Sequence, residues 1–359
     1  MYDFSELAEL ININSYTKNK DGVDKNGQIM REKFEKLGFK TTVYKRENIG
    51  NHLLFQSPKK DGKKMLLLGH LDTVFPLGSF EEFSEDEEWI YGPGVCDMKG
   101  GNMVMVEALR RQKEIFNIDV LLVSDEETGS EDSKNLTYNL AKNYDYCLVF
   151  EAAGKNDEIV TARKGIATFY IDIIGKAAHA GNCYTQGADA NQEAAHKILA
   201  LSHLTDLNNH TTVNVGKIEG GIGANTISPY AKLICEARFV SAKERDRVFD
   251  EINEIVNTSF IKDTNSTLSG GLQRDVMEET SEQLNFIKKL EKWSGKKLLT
   301  EKRGGGSDAN IAASAGCITL DGFGPYGDGD HTIHERASKK SYIDRIELVS
   351  KIFSEFIKN

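Results

Sequence analysis

The 359-residue sequence has few of the features that mark secreted, membrane-bound or nucleic-acid-binding proteins. Its five cysteines are scattered, odd in number and form no Cys-x-x-Cys pair, which is typical of reduced, buried thiols. No apolar stretch approaches the length of a membrane span, and the acidic N-terminus carries no signal-peptide pattern. With five prolines and 39% hydrophobic residues the composition is neither fibrous nor disordered. We therefore expect a globular cytoplasmic protein without a membrane partner.

Positive charge is also scarce, because the net charge is −10. Nucleic acid is therefore excluded as an expected partner, since binding phosphates needs a basic surface. An acidic protein that binds an anionic substrate needs local compensation from metal ions or from a few arginines.

The order of the apolar segments predicts the fold class. In the first half, short apolar runs alternate with helical patterns, which favours an α/β fold with a mixed, mostly parallel sheet sandwiched by helices. From about Gly165 the pattern changes to alternating strands with two helices, which is typical of a small α+β unit. The last part resembles the first half again. At this length two domains are expected, so the simplest interpretation is a smaller domain inserted into a larger one.

Metal-type ligands follow several of the predicted strands. An apolar run of leucines leads into His70 and Asp72, the strand before Asp125 continues into two glutamates, and another strand ends directly before Glu151. In a parallel sheet such residues gather at the carboxyl ends of the strands. Histidine and carboxylate groups are ligands for zinc, and a carboxylate two residues from a histidine can orient its ring.

Two loops add to this set. A glycine-rich loop with Asp97 opens a helix, and a late turn carries His331 and His334. Taken singly, each group has a structural explanation, such as a surface pair for His70 and Asp72 or a helix cap for Asp97. Taken together, three carboxylates and two histidines are what two divalent cations that share a bridging carboxylate require.

With these residues, the sequence resembles the co-catalytic di-zinc metallopeptidases of the glutamate carboxypeptidase and aminoacylase family. That family includes acetylornithine deacetylase, succinyl-diaminopimelate desuccinylase and peptidase T, and the likeness is strongest to the glutamate carboxypeptidase branch. The matching motifs occur in family order over nearly the whole chain: GHLDTV, GPGVCDMKGG, SDEETGS, VFEAA, GKAAHAG, GANTISP, GGGSDAN and GDGDHTIHE. An ordered series of this kind is far more specific than any single motif.

The resemblance implies a ligand set for two Zn²⁺ ions per chain, with Co²⁺ or Mn²⁺ as alternatives. His70 and Glu151 would bind one ion, Glu127 and a late histidine the other, and Asp97 would bridge them. The family's His-x-x-x-Glu-like segment favours His331, followed by Glu335, as that late histidine. The sequence alone also permits His334.

The resemblance also implies catalytic roles. Glu126 would be the general base, Asp72 would orient His70, and the peptide bond after Asp97 would be cis. Residues 1–163 and 275–359 would form the catalytic domain, and residues 164–274 an inserted lid and dimerisation domain. The lid residue His179 would help to stabilise the oxyanion of the partner subunit in a homodimer.

The substrate expected from the resemblance is a small peptide or an N-acyl amino acid with a free carboxylate. Arg238, Asn225 and the backbone of the glycine loop at Gly305 and Gly306 match the positions that would bind this carboxylate. The predicted activity is a carboxypeptidase-type hydrolysis of glutamate-like or N-acyl substrates. The alternatives are an amino-acid deacylase, a di- or tripeptide aminopeptidase of the same fold, and a non-catalytic binding protein.

Overall fold

The computed structural model describes residues 2–358. Its α-helices are α1 (Ser5–Ile11), α2 (Lys20–Lys36), α3 (Lys99–Arg110), α4 (Lys134–Ala141), α5 (Ala190–Ser202), α6 (Ala242–Asn257), α7 (Ser281–Ser294), α8 (Asp308–Ser314) and α9 (Lys339–Lys358). Its strands are β1 (Lys40–Tyr44), β2 (His52–Gln56), β3 (Met65–His70), β4 (Ser84–Glu85), β5 (Trp89–Tyr91), β6 (Ile118–Val123), β7 (Tyr146–Val149), β8 (Ile159–Arg163), β9 (Gly165–Ile174), β10 (Thr212–Gly220), β11 (Tyr230–Phe239), β12 (Asn265–Arg274), β13 (Thr300–Arg303), β14 (Ile318–Leu320), β15 (Gly327–Asp328) and β16 (Arg336–Ser338).

The chain forms two compact units. Unit 1 consists of Met1–Ala162, Glu279–Arg303 and Ser307–Asn359, and unit 2 of Arg163–Glu278 together with Gly304–Gly306. Unit 2 is therefore an insertion in the chain of unit 1, joined by one short glycine segment from later in the sequence. The sequence-based bounds of the inserted domain, 164–274, fall inside the longer segment of unit 2.

Unit 1 is built on a six-stranded sheet in the order β1-β2-β6-β3-β7-β14. Strands β6, β3, β7 and β14 are parallel to one another, whereas β2 is antiparallel to both of its neighbours, β1 and β6. Residues 65–68 of β3 are all fully buried. Because successive side chains of a strand point to opposite faces, both faces of the sheet must be covered. The predicted mixed, mostly parallel α/β fold is confirmed.

The carboxyl ends of the central strands lie together because those strands are parallel neighbours. β3 ends at His70, β6 ends two residues before Asp125, and β7 ends two residues before Glu151. Helix α3 packs close to this edge. A Cβ atom added to Gly101 would lie 1.9 Å from the carbonyl oxygen of Phe150, so only glycine fits there.

A second, small sheet of unit 1 has the order β15-β16-β5-β4. β15 and β16 form a hairpin, and β16 pairs with β5 through Arg336 and Tyr91. This pairing brings the hairpin loop at 329–335 next to the glycine-rich loop that follows β5.

Unit 2 contains a four-stranded antiparallel sheet in the order β10-β11-β9-β12. Alternate residues of β9 and β11 are buried, as expected for strands with one covered face. Helices α5 and α6 pack against this sheet, with Leu201, Val248 and Ile252 among the buried residues of the shared core.

Within residues 2–358, none of the helices combines the length and apolar character needed to cross a membrane.

Candidate active site

His70 lies at the end of β3 and is fully buried. Its Nδ1 atom lies 3.0 Å from the main-chain oxygen of Asp72 and 3.4 Å from Oδ1 of the same residue. Asp72 is held in turn by the hydroxyl of Thr17, which donates to Oδ2 at 2.7 Å, and by the main-chain N–H of Glu127 at 3.3 Å. These contacts direct Nε2 of His70 toward the carboxylates of the cluster.

Asp97 lies in the loop between β5 and α3, and the peptide bond to Met98 is cis, as predicted. The buried carboxylate of Glu335 accepts hydrogen bonds from the main-chain N–H groups of Gly94, Cys96 and Asp97 at 2.8, 3.1 and 3.1 Å. Glu335 thus sets the conformation of this loop from the neighbouring hairpin, and with it the position of the Asp97 side chain.

The two carboxylate oxygens of Asp97 face two different histidines. Oδ1 lies 3.1 Å from Nε2 of His70, and Oδ2 lies 3.3 Å from Nε2 of His331. His70 lies 3.8 Å from Glu151, and His331 lies 3.2 Å from Glu127. The side chains therefore form two groups of one histidine and one glutamate, and Asp97 belongs to both.

His334, the alternative to His331, is exposed on the same loop. Within the described part of the chain its ring makes no ion pair with a carboxylate, whereas His331 makes two. His331 has a φ of +61°, which turns its side chain toward Asp97. The geometry thus favours His331, as the sequence analysis does.

Glu127 and Glu151 are carboxyl groups in an environment that disfavours their charge. Burial and the charge of Asp97 raise the pKa of Glu127 to about 8, and the same causes hold the pKa of Glu151 well above its usual range. The charge of Glu126 adds to both shifts, so its carboxylate lies near both groups. For Asp97, hydrogen bonds from His331 and His70 outweigh burial and lower the pKa.

The donor set fits a divalent metal centre. Ligand atoms of His70, Asp97 and Glu127 all lie within 4.8 Å of one another. Imidazole nitrogens and carboxylate oxygens are the ligands that zinc takes in catalytic sites, and cations would offset the repulsion among three clustered carboxylates. His70 with Glu151, and His331 with Glu127, could each hold one ion, with one oxygen of Asp97 for each.

Unit 2 carries the other predicted site residues in two groups. In the first, the segments of His179 and Asn225 pair: His179 bridges to Thr226, and the N–H of Ala180 donates to the main-chain oxygen of Asn225 at 2.9 Å. Nδ1 of His179 accepts two main-chain hydrogen bonds at 3.1 Å, from Gly181 and Asn182. Because Nδ1 is an acceptor, the neutral ring carries its proton on Nε2.

In the second group, arginines surround the glycine segment Gly304–Gly306. Arg238 donates from Nη1 to the oxygen of Gly304 at 3.1 Å, and from Nε to Glu236 at 2.7 Å. Arg163, which the sequence analysis missed, is buried and donates to the oxygen of Gly305 at 3.0 Å.

Arg274 and Lys164 complete the cationic group and were also missed. A Cβ on Gly306 would lie 3.2 Å from Cδ of Arg274. Burial and the charge of Arg238 lower the pKa of Lys164, so this amine lies near Arg238. The signal in the sequence was an Arg-Lys pair at the junction of two strands and an arginine at the end of another. A single sequence does not reveal that these segments meet.

The chain is similar to proteins of a known family and fold. The family model described as peptidase family M20/M25/M40 matches residues 66–359. Carboxypeptidase G2 of Pseudomonas sp. (strain RS-16) is 29% identical over 361 residues, covering 97% of this chain and 86% of the relative. Acetylornithine deacetylase of Vibrio parahaemolyticus is 29% identical over 261 residues, which cover 66% of this chain and 68% of the relative. The solved aminopeptidase PepT of Bacillus cereus shares the fold, with a TM-score of 0.83, 23% identity and coverage of 98% and 97% of the two chains.

The two histidines of the hairpin loop should differ in metal binding. We expect His331→Ala to bind one equivalent of zinc fewer than the wild type, because it removes the nitrogen that faces Asp97 and Glu127. His334→Ala should bind as much zinc as the wild type. Elemental analysis after dialysis against zinc-containing buffer measures both, and the reverse pattern would assign the ligand to His334.

Proposed function

The chain belongs to peptidase family M20/M25/M40, and from this premise we propose that it is a di-zinc hydrolase that cleaves an amide bond next to a free carboxylate. Family membership makes it a zinc-dependent metallopeptidase or amidohydrolase. The proposal adds the number of ions and the substrate class: peptides or N-acyl amino acids, with glutamate-like substrates as the first expectation.

The observation that carries the proposal is the arrangement around Asp97. One carboxylate oxygen faces His70 and the other faces His331, and each histidine has its own glutamate nearby. A helix cap or a surface ion pair does not need two histidines and three carboxylates in one partly buried cluster. Two cations bound there would supply Lewis-acid chemistry that lowers the pKa of a water molecule toward neutrality.

Glu126 is the proposed general base. It is adjacent to the proposed ligand Glu127 in a short 3₁₀ turn at the end of β6, and its charge acts on both Glu127 and Glu151. In the proposed reaction it accepts a proton from the attacking water and passes it to the leaving nitrogen. The water oxygen joins the carbonyl carbon, the C–N bond breaks, and an amine and a carboxylate result.

His179 is the proposed donor to the oxyanion. Two main-chain N–H groups bond to its Nδ1 atom, so Nε2 carries the proton and is available as a donor. A donor positioned for the developing negative charge stabilises the transition state more than the substrate. The family resemblance assigns this histidine to the active site of the partner subunit in a homodimer.

The cationic group around Gly304–Gly306 is the proposed binding site for the substrate carboxylate. The hydrogen bonds of Arg238 to Gly304 and Glu236 use two of the five N–H groups of its guanidinium, so further donors remain for a ligand. In a protein of net charge −10, this is the local compensation that an anionic substrate needs. The deacylase alternative stays open, because N-acyl amino acids carry the same carboxylate and an acetylornithine deacetylase is among the relatives.

A hydrolysis screen of the zinc-loaded protein tests the substrate class. We expect cleavage of N-acyl amino acids, Xaa-Glu dipeptides or folate-type conjugates, and little cleavage of the same compounds as C-terminal amides. Arg238→Met should raise KM for carboxylate substrates by roughly tenfold or more, the usual cost of losing a charge-assisted contact.

Arg111→Met is the matched control for that variant, because Arg111 is an exposed arginine of unit 1. It should leave KM unchanged. Equal cleavage of acids and amides, together with rapid cleavage of tripeptides from the amino end, would instead support the aminopeptidase alternative. No hydrolysis of any compound by zinc-loaded protein would support a binding protein.

Substitutions of Glu126 and Glu127 should affect catalysis and metal binding differently. Glu126→Gln should lower kcat by roughly 10²–10⁴ and retain its zinc, because a positioned base contributes about that much. Glu127→Gln should lose zinc affinity, because it removes the carboxylate that faces His331. Steady-state kinetics and zinc titration of both variants measure the difference, and exchanged phenotypes would reverse the two roles.

Mixing two inactive variants tests the role of His179 across a dimer. We expect His179→Ala to lower kcat and keep its zinc, and His70→Ala to lose zinc. A site shared between subunits needs both of them, and a hybrid dimer contains one site with every residue intact. With about half of the dimers hybrid after subunit exchange, the mixture should recover up to about a quarter of wild-type activity. A fully active monomer, or no recovery despite proven subunit exchange, would contradict this role.

A further inference from the structure

A buried histidine that belongs to no motif of the active site holds the loop that carries Glu126 and Glu127. His52 is the first residue of β2 and is fully buried. Its Nδ1 accepts a hydrogen bond from the main-chain N–H of Ser124 at 3.1 Å, and its Nε2 lies 2.9 Å from Oδ1 of Asp132. Ser124 and Asp132 are near the two ends of the 125–133 loop.

The contacts of His52 determine its tautomer. Nδ1 accepts from an N–H group and is therefore unprotonated, so the proton of the neutral ring lies on Nε2 and is donated to Asp132. A neutral imidazole has one donor and one acceptor, and both are used on this loop. An apolar side chain of similar size could fill the space but would leave the Ser124 N–H without this acceptor.

Other contacts make the same loop rigid between these two points. Asn51 accepts from the hydroxyl of Ser124 at 2.8 Å through its main-chain oxygen. Oδ2 of Asp125 accepts from the N–H groups of Asp132 and Ser133 at 2.8 and 3.2 Å, which closes the loop on itself. A rotation at Ser124 would therefore move the whole loop, including Glu126, which lies two residues further on.

We propose that His52 is a positioning residue that holds Glu126 and Glu127 in their working positions through Ser124 and Asp132. This inference rests on the proposed function, because it concerns the proposed base and a proposed ligand. The hydrogen bonds of His52 go to Ser124 and Asp132 and not to a proposed ligand atom, so it acts through the conformation of the loop. A misplacement of about 1 Å can reduce catalysis by up to about a hundredfold.

Two substitutions, each of which reproduces one ring nitrogen, test the two hydrogen bonds of His52 separately. The oxygen of Asn in His52→Asn takes the place of Nδ1 and can still accept from Ser124, whereas the longer Gln in His52→Gln reaches Asp132 but offers Ser124 no acceptor. We expect His52→Gln to lower kcat roughly tenfold to a hundredfold with KM within twofold, and to weaken zinc binding about tenfold. His52→Asn should lower kcat only several-fold, because it keeps the bond to Ser124 and loses only the bond to Asp132.

Thermal melting and zinc titration accompany the kinetics, with His203→Gln as the control because His203 is an exposed histidine of unit 2. If both His52 variants lose activity equally and in step with their melting temperature, the role is structural only and the inference is wrong. Wild-type kcat and zinc affinity in His52→Gln would also overturn it.

Asp132→Ala provides a second test if the His52 variants do not fold. Its side chain is 41% exposed, and the substitution removes the partner of both His52 Nε2 and the Arg46 guanidinium. Arg46→Met, which removes only the second contact, is the control and should keep the wild-type kcat. For Asp132→Ala we expect a several-fold lower kcat without a change in melting temperature, and an unchanged kcat would reject the inference. If the wild type hydrolyses none of the substrates, the proposed function fails, but the zinc titrations still test whether His52 positions Glu127.

Discussion

The electrostatic cost of holding three carboxylates together is the constraint on which the active site depends. Asp97 lies between two histidines, and the neighbouring Glu127 and Glu151 are buried enough for their pKa values to rise. Such a cluster is stable only where cations or hydrogen-bond donors offset the repulsion. The protein supplies the histidines and fixed main-chain donors. Divalent cations would offset the negative charge that remains.

Much of unit 1 serves to keep this cluster in place. Glu335 binds three main-chain N–H groups of the loop before α3, and Asp72 joins Thr17, His70 and Glu127. Each partner comes from a different part of the chain, so the ligand positions depend on the parallel sheet and on the small sheet at once. Rigid support of this kind is what a metal site needs, because ligand geometry must be set before the ion binds.

The two units differ in charge at their candidate sites. Unit 1 gathers carboxylates around Asp97, whereas unit 2 gathers Arg163, Arg238 and Arg274 around Gly304–Gly306. In the proposed function the first group serves the chemistry and the second the recognition of the substrate carboxylate. Arg163 and Arg238 also donate to main-chain oxygens of this glycine segment, at Gly305 and Gly304.

The sequence alone was sufficient for the α/β class with a mostly parallel sheet, because the alternation of apolar runs with helical patterns is a local periodicity. It also sufficed for the order of the motifs and for His70, Asp97, Glu127 and Glu151 as candidates. The short helices α1, α4 and α8 and the strands β4 and β5 have no counterpart among the sequence-based predictions, since such elements are too short to show a period. They form through contacts with distant segments.

Only the tertiary structure decided which distant residues meet. The family resemblance favours His331 but the sequence also permits His334, and the hairpin loop, with a positive φ at His331, brings His331 to Asp97. His52 and Arg163 belong to no recognised motif. His52 meets Ser124 through the pairing of their strands, and Arg163 contacts a glycine segment more than 100 residues away in the chain. The chemical type of each residue is known from the sequence. Which distant residues lie close together depends on how the whole chain buries its apolar surface.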